Sequence, residues 1–255
     1  MELNNKTMGE GQPLLILHGL FGTLDNWQTL GKEFSKTYQV YLIDLRNHGR
    51  SPHSEEFSYQ LMTDDLLEFV EQHQLQDIYL IGHSMGGKVS MNFALQNPGK
   101  VAKLLVADIA PKAYPPHHDE IIAGFRSIDL NAIQSRQEAD AQLAQNVPDI
   151  GTRQFLLKNL YRQDDNSFAW RLNLDAIERN LPYILGNIES ETPFTKPTLF
   201  LRGGNSRYIK PEQDAAQIQA LFPNSRIETI DNAGHWLHAE QPQEFYRLTM
   251  QFLQA

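Results

Sequence analysis

Gly82-His83-Ser84-Met85-Gly86 constrains this chain more than any other segment. The pentapeptide follows the apolar run Ile78-Tyr79-Leu80-Ile81 and precedes a helix-like stretch from Gly87 to Gln96. It therefore reads as a strand, a sharp turn and a helix that hold a serine hydroxyl above the end of a buried strand. Such a turn strains the backbone at the serine and brings strand and helix close together. Side chains two residues to either side would collide, and Gly82 and Gly86 remove them. A bare G-x-S-x-G recurs by chance; the flanking strand and helix patterns give this one its meaning.

The rest of the chain repeats that alternation. Short runs rich in Leu, Ile and Val predict strands over 14–18, 40–44, 78–82, 104–108, 198–202 and 226–230. Their hydrophobicity is continuous, as in parallel strands covered on both faces. Amphipathic stretches between them predict helices over 26–35, 59–73, 84–97, 211–222 and 241–253. From about Lys112 to Pro193 the alternation stops, and helical patterns appear near 121–128, 136–145, 151–161 and 174–185 with no convincing strand. About eighty residues are too many for one crossover helix. The expected architecture is an α/β core over 1–111 and 194–255, with a mostly parallel sheet, helices on both faces and an inserted helical cap over 112–193.

Composition narrows the partners. The formal charge of −9 argues against a nucleic-acid ligand. No run approaches the roughly 18 apolar residues of a membrane span, so no membrane insertion is expected. The segment from Met1 to Gln12 lacks the apolar core of a secretory signal, which makes a cytoplasmic protein the expectation. Absence of cysteine removes thiolate zinc sites and a cysteine nucleophile. With no H-E-x-x-H, no P-loop and no G-x-G-x-x-G after a first strand, neither a metal nor a nucleotide cofactor is expected.

A serine hydroxyl needs a histidine to take its proton and a third group to orient that histidine. His235, in Asn232-Ala233-Gly234-His235-Trp236, lies between the last strand and the last helix, at the sheet edge shared with Ser84. His238 is a weaker rival. His18 is expected to brace its loop, His48 to be structural and His83 to point away from Ser84. His53, His73, His117 and His118 have no supporting neighbours. No Asp or Glu stands between Leu201 and Tyr208, after the penultimate strand, where a carboxylate is commonly expected. Asp108, at the end of the preceding strand among apolar residues, is costly to bury without a partner and is the candidate acid. Ser206 occupies the vacant position and could bond the Asp108–His235 pair, while Asp231 is the rival acid. Two N–H donors for a developing oxyanion are assigned to Met85, which follows the serine, and Leu20, in His18-Gly19-Leu20-Phe21-Gly22. Phe21 is either a pocket wall or a core residue. Phe125, Phe155, Tyr161 and Trp170 are expected to shape the pocket beneath the cap.

These residues together resemble the α/β-hydrolase superfamily, across essentially the whole chain. Within it, His18-Gly19-Leu20-Phe21-Gly22, Asn47-His48-Gly49, Gly82-His83-Ser84-Met85-Gly86-Gly87-Lys88, Asp108-Ile109-Ala110-Pro111, Trp170-Arg171-Leu172-Asn173 and Gly203-Gly204-Asn205-Ser206 are similar to small bacterial YbfF-type esterases. The resemblance implies a helical cap, an acid after the sixth strand and an assisting serine at the usual acid position, which fall on Asp108 and Ser206. It also implies short- to medium-chain ester substrates, or acyl-CoA thioesters. Lys112, Arg126 and Arg153 in the cap could meet CoA phosphates, although scattered basic residues are usually just solvated. A non-catalytic receptor or scaffold on the same fold is the competing class. Oligomeric state is left open.

Overall fold

The computed structural model describes residues 1–116 and 118–255; His117 lies outside them. The strands are β1 (Asn5–Met8), β2 (Pro13–Leu17), β3 (Gln39–Ile43), β4 (Ile78–His83), β5 (Val101–Ala107), β6 (Leu160–Arg162), β7 (Phe168–Trp170), β8 (Thr198–Gly203) and β9 (Ser225–Ile230). The helices are α1 (Gln28–Phe34), α2 (Tyr59–Gln72), α3 (Met85–Gln96), α4 (Asp119–Ser127), α5 (Arg136–Leu143), α6 (Ile150–Leu156), α7 (Leu174–Ile184), α8 (Pro211–Leu221), α9 (Leu237–Glu240) and α10 (Pro242–Gln254).

The main sheet runs β1-β3-β2-β4-β5-β8-β9, and only β1 is antiparallel to its neighbour. Alternation within each strand divides the core in two. Leu15, Leu17, Leu104 and Val106 face α2 and α3 through Met62, Leu66, Val89 and Phe93. Leu14, Ile16, Leu105 and Leu201 face α1 and α10 through Phe34, Phe245 and Phe252. The six expected strands are all present, each covered on both faces except at the β9 edge. The register sets Leu17 beside Gly82, Gly82 beside Val106, and Ala107 beside Leu201. Chain segments leaving β2, β4, β5 and β8 consequently emerge side by side.

Two elements differ from the sequence expectation. β1 lies in the stretch taken as a polar terminus, because an edge strand with exposed Lys6 and Thr7 carries no burial pattern. Between β5 and β8 the chain contains α4–α7 as expected, but also the β6–β7 ribbon. The helix expected over 151–161 ends at Leu156, passes through a 3-10 turn (Leu157–Asn159) and becomes β6. Buried Asn159 accounts for the early stop: its Nδ2 donates to Leu156 O at 3.1 Å and to Phe21 O at 2.7 Å in the core. Strands of three residues are too short to show alternation.

Buried histidines make stability sensitive to acid. Burial lowers His18 to about 4, and His48 and His238 to about 3, from 6.5; it also holds His83 well below that value. An unfolded chain binds protons at these positions below about pH 6.5, whereas the folded one refuses them until much lower pH. Stability present at neutral pH is thus lost progressively as pH falls from 6.5 toward 4 and then 3. The melting temperature should drop increasingly steeply as pH falls below 6.5; a profile that stays flat from pH 6.5 down to 5 would contradict this.

Candidate active site

Ser84 sits at the turn between β4 and α3 with φ 52° and ψ −119°, a conformation L-residues seldom adopt. The crowding inferred for the glycines is real. A Cβ on Gly82 would lie 2.2 Å from Gly86 O, and one on Gly86 would lie 2.5 Å from His18 O. Phe21 and Asp108 also have positive φ, 60° and 51°. Three non-glycine residues with positive φ therefore lie on the segments that follow β2, β4 and β5.

His235 Nε2 lies 3.0 Å from Ser84 Oγ, and its Nδ1 lies 2.8 Å from Asp108 Oδ2. Asp108 is fully buried. Its Oδ2 also accepts from Ser206 Oγ–H, and its Oδ1 accepts from Gly203 N–H at 3.0 Å. Each carboxylate oxygen therefore has a donor, which is what a buried charge requires. The expected residues Ser84, His235, Asp108 and Ser206 are brought into one hydrogen-bonded chain. Asp231, the rival acid, is exposed.

Neighbouring rings fix the imidazole. Tyr208 stacks on His235 with centroids 3.8 Å apart and planes 13° apart. His83 donates from Nε2 to His235 O at 2.8 Å, anchoring the backbone of the residue whose side chain reaches Ser84. Neither contact was expected, since a histidine inside the elbow and a tyrosine two residues beyond Ser206 carry no distinguishing local pattern. His238 turns away and stacks on Trp27 at 4.2 Å.

The loop after β2 is clamped by neutral histidines. His18 accepts from Leu45 N–H at Nε2 and donates from Nδ1 to Gly19 O. His48 accepts from Phe21 N–H at 3.2 Å and donates to Arg46 O. This holds Leu20 in the pocket wall beside Ser84 and Met85. Leu20 N–H makes no hydrogen bond to a described residue, and Met85, at the first position of α3, lacks an intrahelical acceptor.

Phe21 and Trp170 require correction as pocket walls. The narrow pocket at Ser84 is lined instead by Leu20, Ile109, Tyr114, Ile184, Leu185 and Tyr208, with Tyr59, Met85, Lys88 and His118 completing it. Phe21, almost fully buried, packs against Phe125 at 5.5 Å, and Trp170 packs edge-on to Phe125 at 4.9 Å behind that wall. The strained backbone of Phe21 turns its ring into the core. Phe155 packs on Trp236 in a separate groove, and Arg171 covers the Tyr161 ring. Lys88 was recognised only as part of a signature, yet it is a nearly fully buried cation in the pocket wall. Burial, reinforced by Lys112, lowers its ammonium to about 7. Its place four residues after Ser84, one helical turn beyond the start of α3, was the available signal.

A strained serine at the strand–helix turn, a loop histidine and a buried aspartate on a mostly parallel sheet define a hydrolase-like site. The α/β-hydrolase fold family matches residues 12–242, and the chain belongs to it. It is 41% identical over 248 residues to the sn-1-specific diacylglycerol lipase of Mus musculus, covering 94% of this chain and 80% of that protein. It is 36% identical over 242 residues to esterase YbfF of Escherichia coli, covering 94% and 92%. A solved marine microorganism esterase superposes with a TM-score of 0.96 at 44% identity, covering 98% of this chain and 99% of that one. No helix among the described residues is long and apolar enough to cross a membrane.

Proposed function

We propose that the protein is a serine carboxylester hydrolase for short- to medium-chain acyl esters, working through an acyl-enzyme. The observation that carries this reading is the imidazole of His235 bridging Ser84 Oγ and Asp108 Oδ2 at 3.0 and 2.8 Å. Ser84 Oγ attacks the ester carbonyl as its proton passes to His235 Nε2. Asp108 holds the Nδ1–H tautomer and stabilises the imidazolium. The N–H groups of Leu20 and Met85 receive the oxyanion. Collapse expels the alcohol, protonated by His235, and leaves the acyl group on Ser84. Water, deprotonated by His235, then releases the carboxylic acid and restores the serine. Residues 112–193 act as the cap over this rim, and 1–111 with 194–255 as the core.

An oxygen ester is favoured over an acyl-CoA thioester by the state of the proposed phosphate partners. Lys112 is paired with Asp214, Arg126 with Asp175 and Glu178, and Arg153 with Asp140. None is left to meet a phosphate without breaking an ion pair. Nitrophenyl esters and acyl-CoA thioesters of equal chain length, assayed in parallel, should show turnover chiefly of the esters, with covalent labelling by a fluorophosphonate. No turnover across the panel together with no labelling would overturn the enzyme reading in favour of a receptor or scaffold.

A further inference from the structure

Lys88 is in contact with both ends of the 112–193 segment. Its Nζ donates to Lys112 O at 2.8 Å, where the segment leaves the core, and to Gly186 O, where it returns. The ammonium also lies over the rings of Tyr59 and Tyr114, 5.6 and 4.9 Å from their centroids. No carboxylate among the described residues forms an ion pair with it. Its hydrogen-bonding capacity and charge are directed to the two hinge carbonyls and two aromatic faces.

The hinges are also tied to each other. Tyr114 N–H donates to Leu185 O, and Ile188 N–H to Pro111 O, both at 2.8 Å. A second latch comes from α2, where the Tyr59 hydroxyl donates to Ile184 O at 2.6 Å. Ile184 and Leu185, the residues held in this way, are apolar walls of the pocket at Ser84. The void they leave is only about 20 Å³, close to the space of one water. An acyl chain of more than a few carbons exceeds this space, and Ile184 and Leu185 are two of the apolar walls that bound it.

We propose that Lys88 sets the acyl-length limit of the enzyme by clasping both ends of the cap segment against the nucleophile helix. This rests on Ser84 being the esterase nucleophile, but the clasp can be read without substrate. Lys88 is a positioning residue: it acts on the acyl group through Ile184 and Leu185.

The test uses the full chain, as parent, Lys88→Met and Tyr59→Phe. Methionine keeps the stem and removes every donor; phenylalanine keeps the ring over which Lys88 sits and removes only the second latch. The readout is the ratio of kcat/KM for nitrophenyl octanoate to that for nitrophenyl acetate, in which changes common to both substrates cancel. It should rise about tenfold or more in Lys88→Met and about threefold in Tyr59→Phe, the scale set by a few methylenes in an apolar pocket. Amide hydrogen exchange at Tyr114 and Ile188 should quicken by about tenfold in Lys88→Met at unchanged exchange in the β4–β5 core, as for a local opening. A ratio and exchange both within about twofold of the parent would overturn the clasp. Should Lys88→Met fail to fold, Tyr59→Phe decides by the same two measurements. A parent that hydrolyses no ester would defeat the esterase reading alone, and the exchange comparison would still judge the clasp.

Discussion

Replacing Ser84 with alanine is expected to lower kcat by on the order of 10⁶ and to abolish fluorophosphonate labelling, the scale seen when the nucleophile of a serine triad is removed. The structure explains why no other side chain compensates. His235 Nε2 is aimed at Ser84 Oγ, and Leu20 and Met85 line the pocket at that serine. Without Oγ the amides and imidazole remain, but no covalent bond can form to the carbonyl carbon. Alanine at a φ of 52° retains the backbone strain that serine already tolerates, so the fold should persist. Initial rates on a nitrophenyl ester and gel detection of the probe adduct check both outcomes. Labelling of the variant at the parent rate would place the nucleophile elsewhere.

The second large effect is expected at Asp108, where asparagine should cost about 10⁴ in kcat, as for the corresponding change in a serine-protease triad. Asp108 accepts three hydrogen bonds on two oxygens, from His235, Ser206 and Gly203. An amide has one oxygen and an NH2 group, so either orientation turns a donor toward a donor. If the NH2 faces His235, the ring is driven to the tautomer that protonates Nε2 and can no longer take the Ser84 proton. Asp231→Asn, on an exposed side chain, is the control and should leave turnover nearly unchanged. Ser206→Ala removes one of the donors to a charged acceptor and should cost about tenfold, within the range for hydrogen bonds to ions. A loss below tenfold in Asp108→Asn, with a large loss in Asp231→Asn, would move the acid to Asp231.

Much of this site was legible because its parts carry local signals. Ser84 stands between glycines at a change of period from strand to helix, and the missing carboxylate between Leu201 and Tyr208 directed attention to Asp108. The parts that were not legible depend on side chains meeting from distant segments. Tyr208 covering the imidazole, His83 holding the His235 carbonyl and Lys88 reaching two hinge carbonyls each join segments whose separation leaves no trace in local pattern. Phe21 shows the same limit in reverse. Its place beside Leu20 suggested a pocket wall, but a positive φ sends the ring into the core against Phe125.

By itself the sequence determined the order of six of the main sheet's strands along the chain, the two-sided burial of that sheet and the glycine-flanked serine at a strand–helix turn. These follow from period, composition and steric necessity within about ten residues. Only the tertiary structure decided that Ser84 and His235, 151 residues apart, and His235 and Asp108, 127 apart, share hydrogen bonds. It alone narrowed the pocket and tied its walls to Lys88. Hydrogen bonds act over about 3 Å, and it is the pairing of β2, β4, β5 and β8, cooperative and long-range, that brings those atoms within that distance.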